Sequence, residues 1–194
     1  MSVRIEQAAG TRKKILEAAV EILSIDGSDS LTSGKLSAKL GMSKGTIFHH
    51  FEDMAGVQIG VLEYLVAALD EQIQKRNHRN LRSLVNDLID TTFDSINQYR
   101  NVYAALFHFI SNAVHNSAFQ QRLRERADHM LNAWKQMLFE HVDRKIPEAE
   151  KDRIVRMIDM YFSGLLVHDF IYADPKRYKR ITKDFMEIVV QHIE

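Results

Sequence analysis

The chain has 194 residues, 45% of them apolar and 27% charged, and its 26 basic and 26 acidic residues cancel. That balance is ordinary for a folded globular protein and argues against indiscriminate polyanion binding. The lack of cysteine excludes a disulfide framework, a thiolate nucleophile and a Cys-based zinc site. No apolar run approaches the roughly 20 residues needed to span a bilayer, and MSVRIEQAAGTRKK at the start has no signal-peptide core. A cytoplasmic protein with no membrane partner is expected. Only 2 prolines and 8 glycines leave little room for long loops, so the expected fold class is all-α.

A first helix is expected from about Gln7 to Ser24. Ile15, Leu16, Ala19, Val20, Ile22 and Leu23 form one stripe at helical spacing, and Asp26-Gly27 stops it. Thr32 or Ser33 can cap a second helix by accepting a backbone N–H bond. That helix turns Leu36 and Leu40 inward and ends at Gly41, a residue that tolerates the left-handed conformation of a helix stop. Ser43 then caps a third helix, Lys44 to His50. A longer fourth helix starts near Met54, with Leu62, Leu65, Val66, Leu69 and Ile73 as its buried face.

KRNHRN, residues 75–80, is a polar, basic break that reads as a link between two lobes. Helical patterns follow at about 80–98, 102–114, 117–143, 149–172 and 177–193, giving about nine helices. The last two boundaries precede Pro147 and Pro175, because the residue before proline disfavours the helical region. The chain thus divides into residues 1–53, a connecting helix at 54–78, and residues 79–194. No strand-like alternation, repeat or low-complexity tract stands out.

Charge is unevenly placed. From Ser30 to Phe51 there are three lysines and no acid; from Glu52 to Gln74 there are five acids and no Lys or Arg. Two short helices at an angle, the second basic and small at its start, suit a DNA major groove. Gly45 and Thr46 are small enough for close approach, and Lys44 can reach a phosphate or a guanine edge. Ser43 and the free N–H groups at the helix start suit a phosphate oxygen. Ile47 and Phe51, at i and i+4, anchor the helix beneath, which leaves Phe48, His49 and His50 for the groove and its flanks.

With these residues in place, TSGKLSAKLGMSKGTIFHHF (residues 32–51) resembles the helix-turn-helix of TetR-family transcriptional repressors. The resemblance continues through TRKKILEAAVEILSIDG before it and VLEYLVAAL after it, covering about residues 11–66. It implies that Thr32, Ser33 and Lys35 touch phosphates, that Lys44, Gly45, Thr46, Phe48 and His49 face the groove, and that His50 touches the backbone. Two departures bear on affinity. Phe48 stands where the family usually has Tyr, and Met54 where a Lys commonly grips phosphate; both trim the phosphate contacts that set salt dependence.

The resemblance further implies that residues 79–194 sense a ligand and dimerise. The sequence adds apolar faces for a helix-pair interface, Ile158, Phe162, Leu165 and Leu166 with Ile181, Phe185, Ile188 and Val189, which would serve equally as an intrachain core. A homodimer would match a palindromic double-stranded DNA operator. A small-molecule pocket could draw on Tyr103, Phe107, His108, Ser111, Asn112, Trp134, Met137, Leu138, Met160, Tyr161 and His168. His108, Ser111, Asn112 and His115 form a polar stripe at helical spacing that would equally suit solvent or an interface. The basic run Lys176, Arg177, Lys179, Arg180, Lys183 suits a solvated face or a partner's acids.

An enzyme is the rival class. Di-metal helical bundles use Glu-x-x-His pairs, and no histidine here has Glu three residues before it. H-E-x-x-H and phosphate-binding glycine loops are missing as well. The expectation is a non-enzymatic regulator without cofactor or metal, most simply a repressor released by a small molecule. Activation, and DNA binding without any ligand, remain the alternatives.

Overall fold

The computed structural model describes residues 2–76 and 78–194, with side chains from Glu6 onward except that of Asn112. The elements are α1 (Ser2–Asp26), a 3₁₀ turn (Ser28–Ser30), α2 (Ser33–Leu40), α3 (Lys44–Phe51), α4 (Met54–Gln74), α5 (Leu81–Gln98), α6 (Arg100–Asn112), a second 3₁₀ turn (Ala113–His115), α7 (Ser117–Phe139), α8 (Glu148–Tyr172) and α9 (Pro175–Ile193). Among the described residues there is no strand, so the all-α expectation holds. No helix among them is long and apolar enough to cross a membrane.

Two helix ends differ from expectation. α1 starts at Ser2 instead of near Gln7, since no proline interrupts it. α7 stops at Phe139, four residues early, because Val142 and Ile146 turn back onto the core.

Packing divides the chain into two units. The first is the chain up to Ala68 together with Tyr99–Gln120; the second is Leu69–Gln98 with Gln121–Glu194. α6, within the 79–194 segment, therefore packs in the first unit, where Asn101 Nδ2 donates to the Ser24 carbonyl at 2.6 Å. Val102, Ala105, Leu106 and Phe109 of α6 are buried, as are Ile15, Ala19, Ile22 and Leu23 of α1.

α4 buries Val57, Ile59, Val61, Leu65 and Ile73, whereas Leu62, Val66 and Leu69 are only half-buried. The expected face is rotated because Gly60 lets the first turns of α4 press onto its neighbours. A Cβ at Gly60 would lie 2.8 Å from Phe51 Cε1 and 2.9 Å from Leu16 Cδ2. Only glycine permits that approach without displacing buried atoms.

The second unit has its own core, built from Leu81, Val85, Ile89 and Phe93 of α5, Leu131 and Leu138 of α7, Ile154, Val155, Ile158 and Leu165 of α8, and Met186, Val190 and Ile193 of α9. Tyr161 stacks on Phe185 at 3.9 Å between ring centroids, and its hydroxyl lies 3.0 Å from Thr182 Oγ1. Lys135 bridges Glu148 and Asp152, both at 2.6 Å, tying α7 to α8.

Candidate nucleic-acid interface

The turn between α2 and α3 is built by local chemistry that the sequence announces. Thr32 accepts the Lys35 N–H at 3.2 Å and starts α2. Gly41 ends it with φ 63° and ψ 25°, where a side chain would be strained. Ser43 accepts the Thr46 N–H at 3.0 Å and starts α3. Beneath, Leu36, Ile47 and Phe51 are buried, while Leu40 is half-buried.

With that anchoring, α3 turns Ser43, Lys44, Gly45, Thr46 and His49 to solvent on one end and flank, with Phe48 and His50 half-buried beside them. Thr32 and Lys35 are exposed and Ser33 is half-buried on α2. The ten expected DNA-contacting residues thus fall on two adjacent helices of one unit. Among the described residues Lys44 makes no ion pair. The other two lysines are engaged: Lys35 Nζ lies 2.7 Å from Asp26, and Lys39 Nζ lies 2.6 Å from Glu21. Met54 is half-buried at the start of α4.

The far end of α3 is held differently. Glu52 has φ 63° and ψ −53°, and the Asp53 N–H donates to the Phe51 carbonyl at 2.7 Å, a γ-turn that ends α3 abruptly. Asp53 Oδ1 then accepts the Gly56 N–H at 2.7 Å and opens α4. Arg12 of α1 donates from Nη1 to the His50 carbonyl at 3.0 Å and from Nη2 to Glu63 of α4 at 3.4 Å. Its guanidinium also sits 4.2 Å above the Phe51 ring. Partial burial lowers the His50 pKa, and the charges of His49 and Arg12 add to the effect. Neither Arg12 nor Glu63 stands out in the sequence; an Arg three residues before the α1 stripe carries no signal until the helices are packed.

Residues 15–57 match the model of the family "bacterial regulatory proteins, tetR family". Those residues carry a TetR-family DNA-binding domain. Its relatives include the nucleoid occlusion factor SlmA of Vibrio cholerae, 25% identical over 155 residues, which covers 75% of this chain and 69% of SlmA. The HTH-type transcriptional regulator BetI 1 of Chromohalobacter salexigens is 24% identical over 184 residues, covering 91% and 88%. Among solved structures, a putative TetR-family transcriptional regulator from Rhodococcus sp. superposes with a TM-score of 0.73 at 14% identity, covering 92% of this chain and 97% of that one. This chain is accordingly a transcriptional regulator of the TetR type.

The residues expected for a TetR-type pocket lie in different places. Tyr103 and Phe107, half-buried, and His108 and Ser111, exposed, belong to α6 in the first unit; the Asn112 side chain lies outside the described residues. Trp134, Met137 and Leu138 of α7 and Met160, Tyr161 and His168 of α8 belong to the second unit. There the Trp134 side chain donates to Asp70, whose pKa burial pushes up against that bond. Leu138 is core, Met160 is exposed, and His168 stacks on Tyr172 at 5.8 Å.

The expected interface residues also separate. Ile158 and Leu165 are buried in the second unit's own core, with Phe162, Phe185 and Val189 packed against it. Leu166 is half-buried, and Ile181 and Ile188 are exposed. The large apolar side chains α8 leaves exposed are instead Met157, Met160, Val167, Ile171 and Tyr172, and the first four of them repeat with Gly164 at three- and four-residue spacing. Both faces of α8 are apolar, so periodicity alone could not tell which one turned inward. Of the basic run, Lys179 and Lys183 pair with Asp90 at 3.0 and 3.9 Å. Among the described residues no group of His, Asp or Glu is placed to hold a metal.

Proposed function

We propose that this regulator binds a palindromic operator as a homodimer, reads it with α3, and represses transcription until a small molecule releases it. The carrying observation is the exposed reading edge of α3: a capped helix start with Lys44 in no ion pair among the described residues, Gly45 and Thr46 small, and the apolar side buried at Ile47 and Phe51. The exposed seam Met157, Met160, Gly164, Val167 and Ile171 supports the dimer, since a stripe at that spacing suits a helix pair with a second copy. Two recognition helices would then meet half-sites about 34–36 Å apart. An effector bound by the 79–194 segment would act through α4, and a differential affinity worth about 1–3 kcal/mol suffices. Trp134 and Asp70 are the best-supported side chains for such a site, a half-buried ring and carboxyl joined by a hydrogen bond. Repression in the cytoplasm is the simplest setting for these parts.

Selection of bound duplexes from a random pool, with sedimentation of the complex, tests this. A palindromic consensus bound by two chains is expected, and enrichment of no sequence would overturn the reading. The likeness to the SlmA nucleoid occlusion factors favours a second reading, a DNA-binding protein that works without an effector. Thermal-shift screening followed by operator titration separates them: a compound that stabilises the protein and lowers operator affinity supports the first, and none doing so supports the second.

A further inference from the structure

We propose that Arg12 is the positioning residue of the reading helix, setting the roll of α3 against α4 without touching DNA itself. The proposal rests on the reading of α3 as the operator-contacting helix. A guanidinium presents its donors in a planar fork, and here one arm takes a carbonyl of α3 and the other a carboxylate of α4. The His50 carbonyl lies in the last turn of α3, where no following helical N–H reaches it. The γ-turn at Glu52 cuts the helix there, so the donor for this carbonyl must come from outside the helix's own bonding. Arg12 fills that need and places a cation at the negative end of the helix dipole. The same group covers the Phe51 ring at 4.2 Å, the side chain that seats α3.

The consequence is geometric. Lys44, Thr46 and His49 must meet base edges and phosphates within a fraction of an ångström. The first turn of α3 is fixed by Ser43 and its underside by Ile47 and Phe51. Its last turn is tied to α1 and α4 through Arg12. Because Glu63 holds the other arm, movement of α4 at that turn draws on the same guanidinium that caps α3. The Arg12 and Glu63 side chains are 40% and 28% exposed, so both stay accessible to substitution without opening the core.

The test uses the full chain with a selected duplex and a scrambled duplex of equal length, titrated across salt concentrations. Variants are Arg12→Gln, Arg12→Lys, Glu63→Gln and, as a reference for direct contact, Lys44→Ala, each checked to be folded by its melting curve. Both Arg12 variants are expected to bind the selected duplex about tenfold or more weakly, the scale of lost charge-assisted bonds. Their scrambled-duplex affinity and salt slope should match the parent, and Glu63→Gln should show a smaller loss of the same kind. A slope lower by about 0.9 in the Arg12 variants would make it a phosphate contact instead. Full rescue by Lys would reduce the role to charge, and equal loss on both duplexes would reduce it to fold; each overturns the proposal. If Lys44→Ala alone weakens binding, only the positioning claim fails. If no variant matters, α3 is not the reading helix.

Discussion

Replacing Gly60 with alanine tests the claim that α4 is seated on α1 and α3 through one missing methyl. The new Cβ would sit 2.8 Å from Phe51 Cε1 and 2.9 Å from Leu16 Cδ2. The favourable carbon–carbon separation is about 3.5–4.0 Å, so something must move by most of an ångström. Phe51 and Leu16 are 3% and 7% exposed, so any retreat must be made into the buried surroundings rather than toward solvent. Overpacking of this kind costs about 1–3 kcal/mol, against a gain of about 1 kcal/mol from alanine in a helix interior. The net is a loss of up to about 2 kcal/mol, lowering Tm by about 2–4 °C per kcal/mol for a chain of this size. Gly34→Ala is the control, because its Cβ would meet nothing closer than Thr32 Oγ1 at 4.0 Å, and it should melt at or above the parent temperature. Melts must be run at one protein concentration, since association shifts Tm. A Gly60→Ala protein melting as high as Gly34→Ala would refute the seating argument.

Other substitutions test separate parts. Asp26→Asn frees Lys35 from its 2.7 Å partner; operator affinity should rise severalfold at most, as surface pairs are worth about 0–1 kcal/mol, with a steeper salt slope, and an unchanged titration would show that Lys35 is not at the DNA. Asp70→Asn should raise Tm at neutral pH, because burial holds the folded carboxyl above its unfolded pKa and ionisation opposes folding. The difference should vanish as pH falls below the unfolded value of about 3.9, and a gap that persists there would point to altered packing. Met160→Lys places a charge in the exposed α8 seam and should turn a dimer into a monomer by sedimentation at micromolar concentration; an intact dimer would move the interface elsewhere.

The DNA-reading turn was legible because its determinants are local. Thr32, Gly41 and Ser43 each announce a cap through their own side chain or its absence, and all three perform as read. The stripe of α1 and the anchors Leu36, Ile47 and Phe51 were legible from helical spacing. What failed to show was anything decided by which of two apolar faces turns inward. α4 rotates its buried face because Gly60 lets it close on Phe51, a consequence of packing that no period in α4 encodes. α8 turns Ile158 and Leu165 inward and Met157 and Met160 outward, although either set makes an acceptable stripe. Long-range polar contacts were hidden for the same reason: Arg12 and Glu63 are 51 residues apart, and Lys35 and Asp26 meet across a turn.

These hidden contacts change how the basic patch should work. Read as sequence, residues 30–51 carry three lysines and no acid. In the folded chain two of the three are already bound to carboxylates of α1, so the patch is weaker than its composition suggests. The positions Phe48 and Met54 supply no charge either, and the whole chain is neutral. Each neutralised phosphate contributes about 0.9 to the salt slope, so a reader with few free cations should have low affinity for arbitrary DNA. Its discrimination must then come from how well a small set of groups on α3 fits one sequence. That places a premium on holding α3 still, which is the work of Ser43 at one end, Arg12 at the other, and the Phe51–Gly60 contact beneath.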